Sequence, residues 1–118
     1  VLTAMLTIAI AQLFITLQVH AAADPTGTWK YDAKQAPYEY SKGDMIISEE
    51  DGKLGGTIKV NYQTMAMRDV ALDNNTLSFG VYIEGEYVKV TMKLDGDRFT
   101  GTASYSEGTL PLEGERVQ

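Results

Sequence analysis

The sequence predicts an all-β protein in which eight antiparallel strands form an up-and-down meander that closes into a small barrel, preceded by an apolar signal helix. From Thr26 onward, apolar residues recur at every second position, which is the period of a strand with one buried face. Asp-Gly, Gly-Asp and Asn-Asn pairs interrupt this pattern roughly every ten residues, as hairpin turns do. An open sheet of this size would expose its apolar face and two edges, so we expect closure.

The first 23 residues differ from the rest of the chain. They contain no Asp, Glu, Lys or Arg, and they end in three alanines, Ala21 to Ala23. An apolar run followed by small residues is typical of a signal peptide, with cleavage here before Asp24. We therefore expect a secreted or periplasmic protein whose mature domain, residues 24–118, keeps no stable membrane span. A retained membrane helix is the alternative interpretation of residues 1–23.

The composition excludes several chemistries for the mature domain. The chain has no cysteine, and its single histidine, His20, lies in the apolar leader. Disulfides, thiol nucleophiles, Cys or His metal sites and imidazole-dependent triads are thereby excluded. A net charge of -6 with dispersed Lys and Arg side chains argues against a nucleic acid partner. We expect no enzyme, no catalytic residues, no metal site and no cofactor, and a carboxylate-dependent hydrolase is the enzymatic alternative that remains.

The turn residues set the bounds of each predicted strand. The first strand follows Pro25, and the later strands are separated by short connections rich in Gly, Asp and Asn, which predict hairpins. The long connection, residues 33–42, contains Pro37, which disfavours a regular helix and suggests a lid over one end of the sheet. The predicted strands are residues 26–32, 43–50, 53–62, 66–73, 76–84, 86–95, 98–105 and 109–117.

Strict alternation assigns an inner face to these strands. The clearest case is the hairpin of residues 76–84 and 86–95, where apolar residues alternate with Lys and Thr. Glycines within the strands mark sharp bends of the kind that a small barrel needs. The inner face collects many large apolar side chains and so predicts a largely filled interior. Its predicted members outside that hairpin include Trp29, Tyr31, Met45, Ile47, Ile58, Val60, Tyr62, Phe99, Ala103, Tyr105, Leu110 and Leu112.

A short motif at each end of the mature chain resembles the signature of the calycin superfamily, the lipocalins and their relatives. Gly27-Thr28-Trp29 opens the first strand, and Arg116 lies near the end of the last strand. The resemblance implies a lipocalin-like barrel over residues 24–118 in which the arginine packs across the indole ring. The chain looks like the short secreted bacterial members of this group.

Six aromatic and methionine residues are the candidates for a ligand site. Tyrosine offers an apolar ring with a polar tip, and methionine adapts to irregular shapes. We expect them to line the mouth of the barrel at the end opposite Trp29, and the alternative is that they are ordinary core and surface residues. The candidates are Tyr38, Tyr40, Tyr62, Met65, Met67 and Tyr105.

Two functions follow as hypotheses. The first is a small exported binding or accessory domain that holds a small apolar or amphipathic molecule at the open end of the barrel. The alternative is an interaction module with a filled barrel and no internal ligand, which contacts an envelope protein or polysaccharide. The outward-facing Tyr82 and Tyr87, together with Tyr38 and Tyr40, would supply the contact surface of such a module.

Overall fold

The computed structural model describes residues 23–118, which form one antiparallel sheet of nine strands. The predicted signal helix of residues 1–23 lies outside these residues, apart from Ala23. Among the residues described, no helix has the length and hydropathy to cross a bilayer. The strands are β1 (Gly27–Asp32), β2 (Lys42–Glu50), β3 (Lys53–Val60), β4 (Gln63–Ala66), β5 (Arg68–Asp73), β6 (Thr76–Ile83), β7 (Glu86–Asp95), β8 (Arg98–Tyr105) and β9 (Gly108–Arg116).

The sheet curls into a nearly closed barrel. Strands that pair are consecutive in sequence, except that β1 pairs with β9 and thereby joins the two ends of the domain. The outermost strands of the sheet, β4 and β5, follow each other in the chain through Met67. The Met67 N–H donates to the carbonyl oxygen of Gly56 in β3 at 2.9 Å. The predicted all-β up-and-down meander is therefore confirmed, with a barrel whose edges nearly meet.

The strand count is nine, and the prediction of eight was wrong in the middle of the chain. The expected strand 66–73 begins earlier and is divided at Met67 into β4, which pairs with β3, and β5, which pairs with β6. The pairing of β5 also shifts by one residue between Arg68 and Ala71, where Asp69 has a φ of 53°. An extra residue of this kind bends the strand and breaks its alternation.

The predicted strand 53–62 ends two residues early, at Val60. Asn61 and Tyr62 form the connection to β4, and both have positive φ values, 51° and 60°. A two-residue hairpin turn with positive φ at both positions matches the right-handed twist of its strands. The turn carries Tyr62 out of the barrel, and its ring is fully exposed. The prediction that Tyr62 faces inward was therefore wrong.

One end of the barrel is filled by side chains, and we call it the closed end. It holds Trp29 and Phe99, whose rings meet edge to face with 5.8 Å between centroids. Glycine makes room there, because a Cβ at Gly114 would overlap the Phe99 ring and the carbonyl oxygen of Lys30. The largest fully buried side chains are Trp29, Met45, Ile47, Leu77, Phe79, Val81 and Met92.

Candidate functional site

A cavity of about 340 Å³ lies at the other end of the barrel, which we call the open end. The barrel interior is thus filled at the closed end only, and the expectation of a largely filled interior was wrong for the open end. The volume is near the lower limit of ordinary small-molecule sites. Its walls come from the inner faces of seven strands. Representative wall residues are Tyr31, Met45, Ile58, Val81, Val90, Ala103 and Leu112.

The loop of residues 33–41 closes one side of the cavity. Ala33, Ala36, Pro37 and Tyr40 from this loop line the cavity. A hydrogen bond joins the two ends of the loop, since the Ala33 N–H donates to the carbonyl oxygen of Ser41 at 2.7 Å. A 3-10 turn over Tyr38–Tyr40 places the Tyr40 ring inward. The loop therefore covers one side of the cavity, and we call residues 33–41 the lid.

Two tyrosine hydroxyls fix this lid to the barrel. Tyr31 in β1 donates to the carbonyl oxygen of Tyr40 at 2.9 Å, and the Tyr40 hydroxyl donates to Glu84 Oε1 at 2.9 Å. Glu84 lies in the β6–β7 turn, so the second hydrogen bond crosses from the lid to a hairpin tip. The same hydrogen bond raises the pKa of the Tyr40 hydroxyl, which therefore remains a donor.

Carboxylates stand at the mouth of the cavity. Glu84, Glu86 and Glu107 all line it, on the β6–β7 and β8–β9 sides. The hydroxyl and the backbone N–H of Ser106 both donate to Glu86 Oε1, the latter at 2.8 Å. These hydrogen bonds hold the pKa of Glu86 below its usual value, so this side chain is charged at neutral pH. Nowhere in residues 23–118 do three His, Cys, Asp or Glu side chains gather closely enough to hold a metal ion.

The buried hydroxyl of Tyr31 makes the stability of the barrel sensitive to alkaline pH. Burial, with a smaller contribution from Asp44, raises the pKa of Tyr31 to about 12. The folded protein then keeps a proton that the unfolded chain releases near pH 10, so stability present below about pH 10 is lost as pH rises toward 12. We expect Tyr31→Phe to reduce this alkaline loss by up to about 2 kcal/mol, measured by urea unfolding at about pH 9 and about pH 11.5.

The exposed Tyr38 provides the matched control for that measurement. Its ring is 93% exposed, so Tyr38→Phe should leave the pH dependence of unfolding as it is in the parent protein. An equal alkaline loss of stability in the Tyr31→Phe variant and the parent would contradict the assignment to Tyr31.

The structure brings two of the six candidate ligand residues to the cavity. Tyr40 and Tyr105 line it. Tyr38 and Tyr62 project into solvent. Met65 and Met67 pack against the apolar core without lining the cavity, with Met67 buried over Gly56 in the gap between β4 and β5.

The residues that carry the calycin resemblance meet at the closed end. Trp29 and Arg116 are directly paired across β1 and β9, and the guanidinium carbon lies 4.4 Å from the centroid of the indole ring. Arg116 also donates to the carbonyl oxygens of Thr26 and Asp24. Its Nε lies 3.0 Å from Asp97 Oδ1, as an ion pair without the alignment of a hydrogen bond. One side chain thereby links the chain segment before β1, the end of β9 and the β7–β8 turn.

Gly27 also contributes to the packing of the Arg116 side chain. It has a φ of 124°, a conformation that side chains rarely adopt. The aliphatic part of Arg116 lies directly against it, since a Cβ there would be 3.5 Å from Arg116 Cδ. Glycine therefore permits both the backbone conformation and the close approach.

Sequence reasoning missed the acidic residues of the cavity. Alternation along β7 places Glu86 on the same face as Val88 and Val90, so a signal was present for that residue. Glu84 and Glu107 lie in turns, where alternation gives no face. Their role depends on which hairpin tips meet at one end of the barrel.

An aromatic patch on the outer face contains the two tyrosines of the interaction hypothesis. Tyr82 and Tyr87 are 50% and 40% exposed and stack edge to face at 5.2 Å. The Arg68 guanidinium lies 5.1 Å from the Tyr82 ring centroid, and the Tyr87 hydroxyl donates to Asp69 Oδ2 at 3.1 Å. The Tyr87 ring covers Gly80, where a Cβ would overlap it. The Tyr87 ring therefore also covers a position of the strand where glycine supplies no side chain for packing.

Comparison with solved structures identifies the fold. A mutant of the fluorescent protein UnaG matches with a TM-score of 0.51 at 14% identity, covering 79% of this chain and 96% of that chain. A redesigned β-barrel matches with a TM-score of 0.54 at 13% identity, covering 79% and 90% of the two chains. The chain has the fold of a small antiparallel β-barrel, similar to these two structures. No protein-family model matches the sequence, and the search of curated proteins found no match either.

Proposed function

We propose that this protein is a small exported binding domain, related to the short secreted lipocalin-like domains of bacteria, that holds one small apolar or amphipathic molecule. The cavity of about 340 Å³ at the open end of the barrel is the observation that carries the proposal. Its walls are mostly apolar, and the hydroxyls of Tyr31 and Tyr40 form hydrogen bonds beside it, to the lid and to Glu84. A concave apolar site with a few convergent polar groups is the usual form of a small-molecule site.

The proposed activity is binding without chemistry. A carboxylic acid that donates a proton in a hydrolase needs a raised pKa, whereas the hydrogen bonds from Ser106 lower the pKa of Glu86 at the mouth. The lid and the mouth carboxylates orient a ligand rather than activate it. We propose export from the apolar leader of residues 1–23 in the sequence, of which the structure describes only Ala23.

Calorimetric titration with decanol tests the binding proposal. Trp29 lies at the closed end, so its fluorescence would report poorly on the cavity, and heat is the better signal. The full chain is expressed with its leader, and mass spectrometry of the purified form should give a mass that begins at Asp24. We expect one decanol per protein with a dissociation constant tighter than about 100 μM. Absence of binding by decanol and also by its amine and carboxylate analogues would overturn the ligand proposal, and an uncleaved chain would overturn export.

The interaction module remains the second candidate because of one observation. Tyr82, Tyr87 and Arg68 form a partly exposed aromatic and cationic patch on the outer face, and such groups are enriched where proteins bind partners. The cavity favours the ligand-binding proposal, since a filled barrel is the expectation for a pure interaction module.

A further inference from the structure

The lining of the cavity carries charge of one sign. Glu84, Glu86 and Glu107 contribute carboxylates, and the residues that line the cavity include no Lys or Arg. The lid contains one cation, Lys34, and its ammonium group forms an ion pair with Glu113 at 3.4 Å instead of lining the cavity. A ligand that enters this end of the barrel therefore meets an apolar wall and an acidic rim.

The rim carboxylates are held where a ligand head group would pass. Glu86 is fixed by the two donors of Ser106, and Glu84 is fixed by the Tyr40 hydroxyl of the lid. Both neighbours donate hydrogen bonds and carry no charge, so neither neutralises the carboxylates. These hydrogen bonds therefore fix the positions of Glu84 and Glu86 without placing a positive charge beside them.

Electrostatics then discriminates between amphipathic molecules with the same apolar body. A carboxylate or phosphate head at the mouth would stand beside like charges, which is unfavourable. A protonated amine would gain an opposite charge and hydrogen-bond acceptors at the same position. The net charge of -6 adds a weaker attraction for cations over the whole surface.

We propose that the ligand of the cavity is a cationic amphipath, with an apolar body against the barrel wall and a protonated amine head at Glu84 and Glu86. This inference rests on the proposed ligand-binding function, and it names the chemical class of ligand that the site selects. Fatty acids and other anionic amphipaths are the class that the site rejects.

Three probes with one alkyl chain test the inference by calorimetry at neutral pH. Decylamine, decanol and decanoate differ in the charge of the head group. We expect decylamine to bind about fivefold more tightly than decanol, and decanoate to bind most weakly. Added salt should reduce the difference between amine and alcohol. Decanol binding with no preference for the amine would overturn this inference and leave the binding proposal intact, whereas failure of all three probes would overturn both.

A pair of matched variants separates the rim from the overall charge. Glu84→Gln with Glu86→Gln removes two of the three rim carboxylates but keeps oxygen acceptors for Tyr40 and Ser106, and the ratio of amine to alcohol affinity should fall from about five to about two or less. Glu49→Gln with Glu50→Gln removes the same charge from an exposed segment at the closed end and should keep the preference. An equal loss of preference in both double variants would assign it to net charge and overturn the inference.

Discussion

Replacing Trp29 with alanine is expected to lower the free energy of unfolding by about 3–5 kcal/mol. The side chain is fully buried, and its Nε1 donates to the carbonyl oxygen of Pro25 at 2.8 Å. Its removal leaves a cavity beside Phe99 and takes away the ring on which the Arg116 guanidinium is stacked. A small domain has about 5–15 kcal/mol of stability in total, so the variant should be close to unfolding.

Far-UV circular dichroism during urea unfolding is the appropriate measurement. Trp29 is the only tryptophan of the chain, so the substitution removes the tryptophan fluorescence that would otherwise report on unfolding. Tyr38→Ala is the matched control, since it also deletes an aromatic ring, but one that is exposed, and its effect should stay within about 0.5 kcal/mol. A loss below about 1 kcal/mol for Trp29→Ala would contradict a structural role for this contact.

Most of the fold was predictable because alternation and turn chemistry are local. Strands β6, β7 and β8 agree with the sequence prediction to within one residue, since each alternates cleanly and is bounded by a short turn. The division at Met67 was not predictable in the same way. Met67 is buried like a strand residue, and what ends β4 there is the change of pairing partner from β3 to β6, which depends on closure of the whole sheet.

The cavity was less predictable than the fold. Whether inward side chains fill a barrel depends on its tilt and stagger, which fix the interior width and are not properties of any one strand. Small side chains at the open end, Ala33, Ala36 and Ala103, leave space that the count of apolar residues does not reveal. Tyr105 was placed correctly by alternation, whereas Tyr62 was misplaced because its backbone enters a turn with positive φ.

Replacing Ala103 with phenylalanine is expected to weaken ligand binding strongly while the barrel stays folded. Ala103 lies in β8 between Val90 and Leu110, and its methyl group lines the cavity. A phenyl ring at this position would occupy the space that a ligand needs, so decanol affinity should fall by about tenfold or more. Because the ring enters existing space, the loss of stability should stay at the low end of the about 1–3 kcal/mol that overpacked cores show.

Thr102→Phe separates blockage of the cavity from the general effect of a new aromatic side chain. Thr102 is the adjacent residue of β8, is exposed, and faces outward by alternation. This control should bind decanol like the parent protein, and thermal unfolding of both variants should show folded barrels. If the Ala103→Phe protein is folded and binds decanol with the parent affinity, the ligand lies elsewhere. If Thr102→Phe alone loses binding, the outer face of β8 is the site, and the cavity is not.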